Sequence, residues 1–156
     1  MKTYVITLSK NFLSKHRRAG EPTGFKDKFL SKQKIHTIRG NYQLWNDRID
    51  EVARGEAVLS IRQWSGKPYH SPQVVLAVLT KDDCVGIQRL NFGWKDNVQI
   101  PIIDGWYMFG KWGSKAELAK NDGLSLDDFT DWFKDHANDN AKSDPMAIIH
   151  FTGFRY

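Results

Sequence analysis

The sequence predicts a single α+β domain, a mixed and mostly antiparallel, barrel-like sheet with flanking helices. Three observations carry that reading. Short β-branched and apolar stretches follow one another over 57–103, each of strand length and separated by turn residues. Segments with three-and-four apolar spacing fall before and after that run rather than between its members. The 156 residues, 40% of them apolar, suffice for one buried core, and no Pro/Gly/Ser-rich linker marks a second. Strand, helices, a run of strands, helices and a closing strand is the order of an α+β chain.

Each element has its own warrant. Thr3 to Leu8 is rich in β-branched and aromatic residues and reads as a strand. Residues 14–21 are polar and read as a loop. Pro22 and Thr23 open a short helix in which Phe25, Phe29 and Leu30 share a face. Lys34 to Arg39 is extended. Gly40-Asn41 leads into a helix carrying Tyr42, Trp45 and Ile49, and Gly55 ends it. Val58 to Trp64 is a strand, 65–68 a turn, and Val74 to Leu79 a near-continuous apolar strand expected to be buried on both faces. Val85 to Leu90 and Val98 to Ile103 are further strands, followed by a glycine- and tryptophan-rich loop from Gly105 to Gly113. Ser114 caps a helix over 115–121. Ser125 and Asp128 resemble a capping box, opening a helix whose buried stripe is Leu126, Phe129, Trp132 and Phe133. Met146 to Phe151 is the closing strand.

Composition excludes several classes. The chain is too apolar to be disordered and has no stretch long enough for a bilayer-spanning helix. Cys84 stands alone, against a disulfide framework or a cysteine-rich zinc site, and no secretory leader is visible at Met1. A cytoplasmic protein, with neither a membrane nor a metal partner, is the expectation; oligomeric state stays open. Charge is unevenly spread. Residues 1–48 hold 11 Lys and Arg against 3 Asp and Glu, whereas 49–156 hold 12 against 15. Such asymmetry fits an anionic partner, nucleic acid first, or a solvated basic face.

The densest set of reactive groups is Lys32-Gln33-Lys34-Ile35-His36-Thr37-Ile38-Arg39. In a regular strand Lys34 and His36 face one way and Thr37 and Arg39 the other, so only a bend brings Lys34 to Thr37. Neighbouring cations lower a lysine pKa, and a neutral amine can take the proton of a threonine hydroxyl. Arg39 can meet phosphate or an oxyanion. The alternative is a basic edge strand that discourages edge-to-edge pairing.

Lys34-Ile35-His36-Thr37-Ile38-Arg39 resembles the Lys-x-x-Thr-Ile-Arg motif of the ASCH superfamily, whose members have a PUA-like β-barrel. In particular it resembles that of the small bacterial N4-acetylcytidine amidohydrolases. The similarity extends to the helix before the motif, to an acid ahead of a Ser-Leu-x-x-Phe helix (Asp122, then Ser125 to Phe129) and to the closing strand. Three features depart from the family pattern: Lys32 stands where a glycine is usual, Asp122 stands in place of Glu, and 64–69 and 91–113 are extra. The resemblance implies a PUA-like, mostly antiparallel barrel that removes acetate from an N4-acetylated cytidine. It implies Lys34 as general base, Thr37 as nucleophile, Asp122 as the acid that relays protons, and Arg39 as an orienting or charge-stabilising group. It implies a nucleoside or RNA partner and neither metal nor cofactor. A non-catalytic RNA-binding module and a ribonuclease are the competing readings.

His36 is a further candidate for substrate contact. Lys15, Arg17, Arg18 and Lys32 are candidates for a phosphate-holding rim, or simply a charged loop. Trp64, Lys67 and Tyr69 around a turn could stack on a nucleobase, with a core role for Trp64 as the alternative. Trp106, Tyr107, Phe109 and Trp112 form a second aromatic cluster. His16, His70, His136 and His150 have no ligand-like spacing.

Overall fold

Two hydrogen-bonded sheets and four α-helices make up the computed structural model, which describes residues 1–110, 114–136 and 145–156. Trp112 and Gly113 lie outside the described residues. The first sheet has the order β1-β3-β4, from β1 (Lys2–Thr7), β3 (Ala57–Trp64) and β4 (Gln73–Leu79). Its β1–β3 ladder is parallel, and β3–β4 is an antiparallel hairpin. The second sheet is antiparallel throughout. Its order is β2-β8-β5-β6-β7, from β2 (His36–Arg39), β5 (Gly86–Lys95), β6 (Val98–Ile103), β7 (Trp106–Tyr107) and β8 (Met146–His150). Among the described residues no ladder joins the two sheets, so the expected α+β class holds while the expected single barrel is two sheets. Apolar periodicity identifies strands but not their partners, which is where the two descriptions part.

Helix α2 (Tyr42–Ala53) turns Trp45, Ile49 and Val52 into the core. The Asn41 side chain accepts from Leu44 N at its start, and Gly55, with φ +77°, follows its last turn. Ser114 caps α3 (Lys115–Asn121) by accepting from Glu117 N. Ser125 caps α4 (Leu126–Trp132) through Asp128 N. The capping box stays half-made, because the Asp128 carboxylate bonds Arg17 and Arg18. The core runs through Ile6 and Leu8, Leu59 and Ile61, Leu90 and Phe92, Leu118, Phe129, Ile148 and Ile149.

Four local expectations are corrected. Helix α1 (Phe25–Leu30) begins after Gly24, not at Pro22, whose segment instead bridges Asn11; Leu30 is exposed. Strand β4 is an edge strand, and Val74, Val75 and Val78 are 43%, 51% and 52% exposed rather than buried on both faces. An apolar run cannot reveal that its strand lies at an edge. Leu126 points outward in the first turn of α4, leaving Phe129 and Phe133 as the buried stripe with Trp132 half-buried. Strand β5 runs on to Lys95, past the expected end at Leu90, and meets the expected strand β6 in a hairpin whose turn residues Asp96 and Asn97 both have positive φ, the geometry that matches strand twist.

Candidate active site

The chain doubles back immediately before β2. Lys32 adopts φ +64°, and the Gln33 and Lys34 N–H groups both donate to Lys28 O, at 2.8 and 2.9 Å. Residue 35 is then held from two sides: Ile35 N donates to Asn121 O, and Phe151 N donates to Ile35 O. Strand geometry starts only at His36, paired with His150 of β8. This is the bend that Lys34 and Thr37 need, and both line one cleft.

Asp122 closes the site from the other side. It ends α3, where its N–H bonds Leu118 O and Ala119 O. Gly123 follows with φ +83°, and a Cβ there would sit 3.2–3.4 Å from the Cβ, Cγ and Cδ of Lys34. Both the backbone angle and the close approach therefore call for glycine. The Lys34 ammonium donates to Asp122 O at 2.6 Å and Asp122 Oδ1 at 3.1 Å, and lies 4.2 Å from the centre of the Phe25 ring. The Lys34 and Asp122 side chains are 1% and 5% exposed.

Burial is the largest influence on both groups, and it acts oppositely to their mutual attraction. For Lys34, burial lowers the pKa below the ordinary amine value, with help from the Arg39 and Lys28 charges, and Asp122 restores only part of it. For Asp122, burial alone would raise the pKa, but Lys34 and His36 together bring it below the usual carboxylate range. The pair is thus an amine that gives up its proton more readily than a surface lysine, beside a carboxylate that stays ionised.

The cleft is lined by Leu8, Ser9, Phe25, Lys34, Thr37, Ile38, Arg39, Asp122, Trp132 and Phe133. It encloses about 290 Å³ including its open mouth, and its interior is narrow, with room for about one water. Arg39 extends the cleft with a guanidinium that donates to Thr7 O at 2.7 Å; burial lowers its pKa, with Asp122 opposing. It keeps its charge, since guanidinium deprotonation lies far above neutral pH.

His36 does not meet the cleft. It is fully buried behind Asp122, with Nδ1 3.4 Å from Asp122 Oδ1 and Nε2 2.6 Å from the Tyr156 hydroxyl. Its expected role in touching substrate is corrected accordingly. Asn121 Nδ2 donates to the same hydroxyl at 3.0 Å. The Tyr156 main chain is clamped by Gln88, whose Oε1 accepts from Tyr156 N and lies 2.9 Å from His150 Nε2. Asn121, Tyr156 and Gln88 were not singled out by the sequence reading. Asn121 adjoins the acid, but no local pattern links residues 36, 88 and 156.

The remaining candidates lie elsewhere. Trp64 is half-buried against Tyr69, ring centres 5.2 Å apart, and Tyr69 is 86% exposed. Neither they nor the exposed Lys67 line the cleft. Arg17 and Arg18 both bond the Asp128 carboxylate, and Arg18 also bonds Glu21, so these rim cations are largely neutralised. Lys15 and Lys32 are exposed. His16 is buried, stacked 4.4 Å from Phe12, with Nε2 3.1 Å from Asp128 O and Nδ1 accepting from Arg18 N. The basic run therefore pins the loop onto α4. Trp106, Tyr107 and Phe109 are exposed on and beside β7, away from the cleft.

Among the described residues no three His, Cys, Asp or Glu side chains cluster as metal ligands would, and no helix is long and apolar enough to cross a membrane. Set against models of protein families, curated proteins and solved structures, the chain matches none.

Proposed function

We propose that the protein is a metal- and cofactor-independent amidohydrolase of ASCH, PUA-like type. It acts in the cytoplasm on an N4-acylated cytidine, as a nucleoside or within RNA. The observation that carries this reading is the sealed Lys34–Asp122 pair lining one cleft with Thr37. A buried ion pair is a costly way to gain stability, and a lysine with a lowered pKa beside a hydroxyl is the arrangement that activates a nucleophile.

In the proposed reaction, neutral Lys34 takes the Thr37 hydroxyl proton as the oxygen attacks the acyl carbonyl. Arg39 faces the developing oxyanion. The tetrahedral intermediate collapses by breaking the bond from the acyl carbon to N4. The leaving amine takes the proton from Lys34 and departs as cytidine, leaving an acyl ester on Thr37. Water, deprotonated by Lys34, then attacks the ester, and acetate leaves as Thr37 recovers its proton. In this reading only the acyl group enters the narrow cleft, in place of water, and the base stays outside it. Asp122 differs from its expected role in one respect. A carboxylate held ionised does not deliver a proton; it stabilises the ammonium that Lys34 becomes.

The partnering of Arg17 and Arg18 with Asp128 disfavours the RNA-holding groove as the main function, since a polyanion site needs free cations. The test is incubation of the purified protein with N4-acetylcytidine, with cytidine and acetate followed by chromatography. Thr37→Ala is expected to lose at least about 100-fold in rate, the scale for removing a group that takes part in the transition state. Cytidine release undiminished in Thr37→Ala, or none from the wild type with any N4-acyl cytidine, overturns the reading. Steeply salt-dependent binding of short RNA without turnover would favour the binding module, and RNA cleavage the ribonuclease.

A further inference from the structure

We infer that His36, set in its Nδ1–H tautomer by the Tyr156 hydroxyl, is a positioning residue that holds the Asp122 carboxylate against Lys34. The inference rests on the proposed reading for its catalytic consequence, but its geometry stands apart from any substrate.

Among the described residues, His36 Nδ1 is buried without a hydrogen-bond partner, and it faces Asp122 Oδ1 at 3.4 Å. An orphaned buried nitrogen needs a reason, because each such group costs the desolvation it cannot recover. The tautomer follows from the hydroxyl on the other side of the ring. Asn121 Nδ2 already donates to Tyr156 OH, so the hydroxyl oxygen serves as acceptor there and its hydrogen is free to point at His36 Nε2, 2.6 Å away. That leaves Nε2 as acceptor and places the ring proton on Nδ1, directed at the carboxylate. The other tautomer would waste the Tyr156 hydrogen and set an Nδ1 lone pair against an anion. Burial lowers the His36 pKa, which keeps the ring neutral, with a single proton to place.

The chain Asn121–Tyr156–His36–Asp122–Lys34 is therefore directional, each donor pointing at the next acceptor until the carboxylate, on which His36 and Lys34 converge. It shares the logic of a carboxylate–imidazole pair with the imidazole inverted: here the ring orients the acid, and the acid serves the lysine. The 3.4 Å separation is long for a hydrogen bond. Tyr156 in turn is fixed through its main chain by Gln88, which holds its hydroxyl against the His36 ring.

The test is nitrogen NMR of uniformly labelled protein with His36 assigned through His36→Gln. A pyrrole-type Nδ1 and a pyridine-type Nε2 near neutral pH are expected; the reverse pattern overturns the inference whether or not the enzyme turns over. Tyr156→Phe removes one oxygen and should abolish the tautomer preference. With an N4-acyl cytidine substrate, it should lower kcat about 10-fold with KM little changed. A Tyr156→Phe protein that keeps both the wild-type nitrogen pattern and wild-type kcat overturns the role of Tyr156. If no substrate is turned over, the proposed function fails while the nitrogen pattern still decides the tautomer.

Discussion

Replacing Lys34 by Met is the perturbation that weighs the buried pair most directly. It fills the same space and leaves Asp122, 5% exposed, without the ammonium that compensates it. Removing one member of such a pair costs about 3–5 kcal/mol. For a chain of this size, at roughly 2 kcal/mol per molar urea, the midpoint should fall by about 2 M. The double variant Lys34→Met, Asp122→Leu removes both charges, and it should recover to within about 1 kcal/mol of the wild type or exceed it. Loss in the single variant should also shrink in acid. Without Lys34 the burial of Asp122 is less opposed, so its folded-state pKa rises and protonation relieves the orphaned charge. Urea denaturation of the four proteins of the cycle at pH 7 and pH 4 reads all of this. A Lys34→Met protein within about 0.5 kcal/mol of the wild type would refute the claim that the pair is desolvated. A double variant no better than the single would refute the orphaned charge as the cause.

Two further outcomes follow from the same geometry. Gly123→Ala combines φ +83° with a Cβ 3.2 Å from Lys34 Cβ, so it should cost about 1–3 kcal/mol by urea denaturation and depress turnover; neutrality in both would mean the turn does not support the lysine. His150 is pushed down to about 2, first and mainly by burial. The unfolded chain takes up a proton below pH 6.5 while the folded chain does not, so stability falls with pH. The loss from this residue reaches about 2 kcal/mol at pH 5. A His150→Gln protein should show a stability profile between pH 8 and 5 flatter by about that amount, and an unchanged slope would refute the burial of a neutral ring.

The bend before β2 shows where sequence reasoning stops. Lys34 and Thr37 were legible because the motif concentrates reactive groups in six residues. Their convergence was not, because the turn is made by Lys32 at φ +64°, with no glycine to announce it. Asp122 came from the resemblance, and its nearness to Lys34 rests on contacts 88 residues apart. Arg17 and Arg18 read as a free rim because their partner Asp128 lies 111 and 110 residues away. His36 carried the right residue type and the wrong face. Its neighbours are Asp122 and Tyr156, and no local period encodes a polar group that only tertiary contacts satisfy. The β4 run failed for the complementary reason: consecutive valines look the same whether a sheet covers them or ends with them.

The shortened acid is the remaining point on which the proposed chemistry turns. Asp122 reaches one methylene less far than the Glu of the resembling family, yet its distance to Lys34 is already that of a hydrogen bond. The backbone makes up the difference. Asp122 ends α3, and Lys34 Nζ takes the Asp122 main-chain oxygen at 2.6 Å as well as the carboxylate. A carbonyl at a helix C-terminus carries partial negative charge and favours a cation. The lysine is thus held by a carboxylate and a terminal carbonyl together, from a helix end brought close by the Gly123 turn. The carbonyl beside the shorter acid thus gives Lys34 a second acceptor when it is charged.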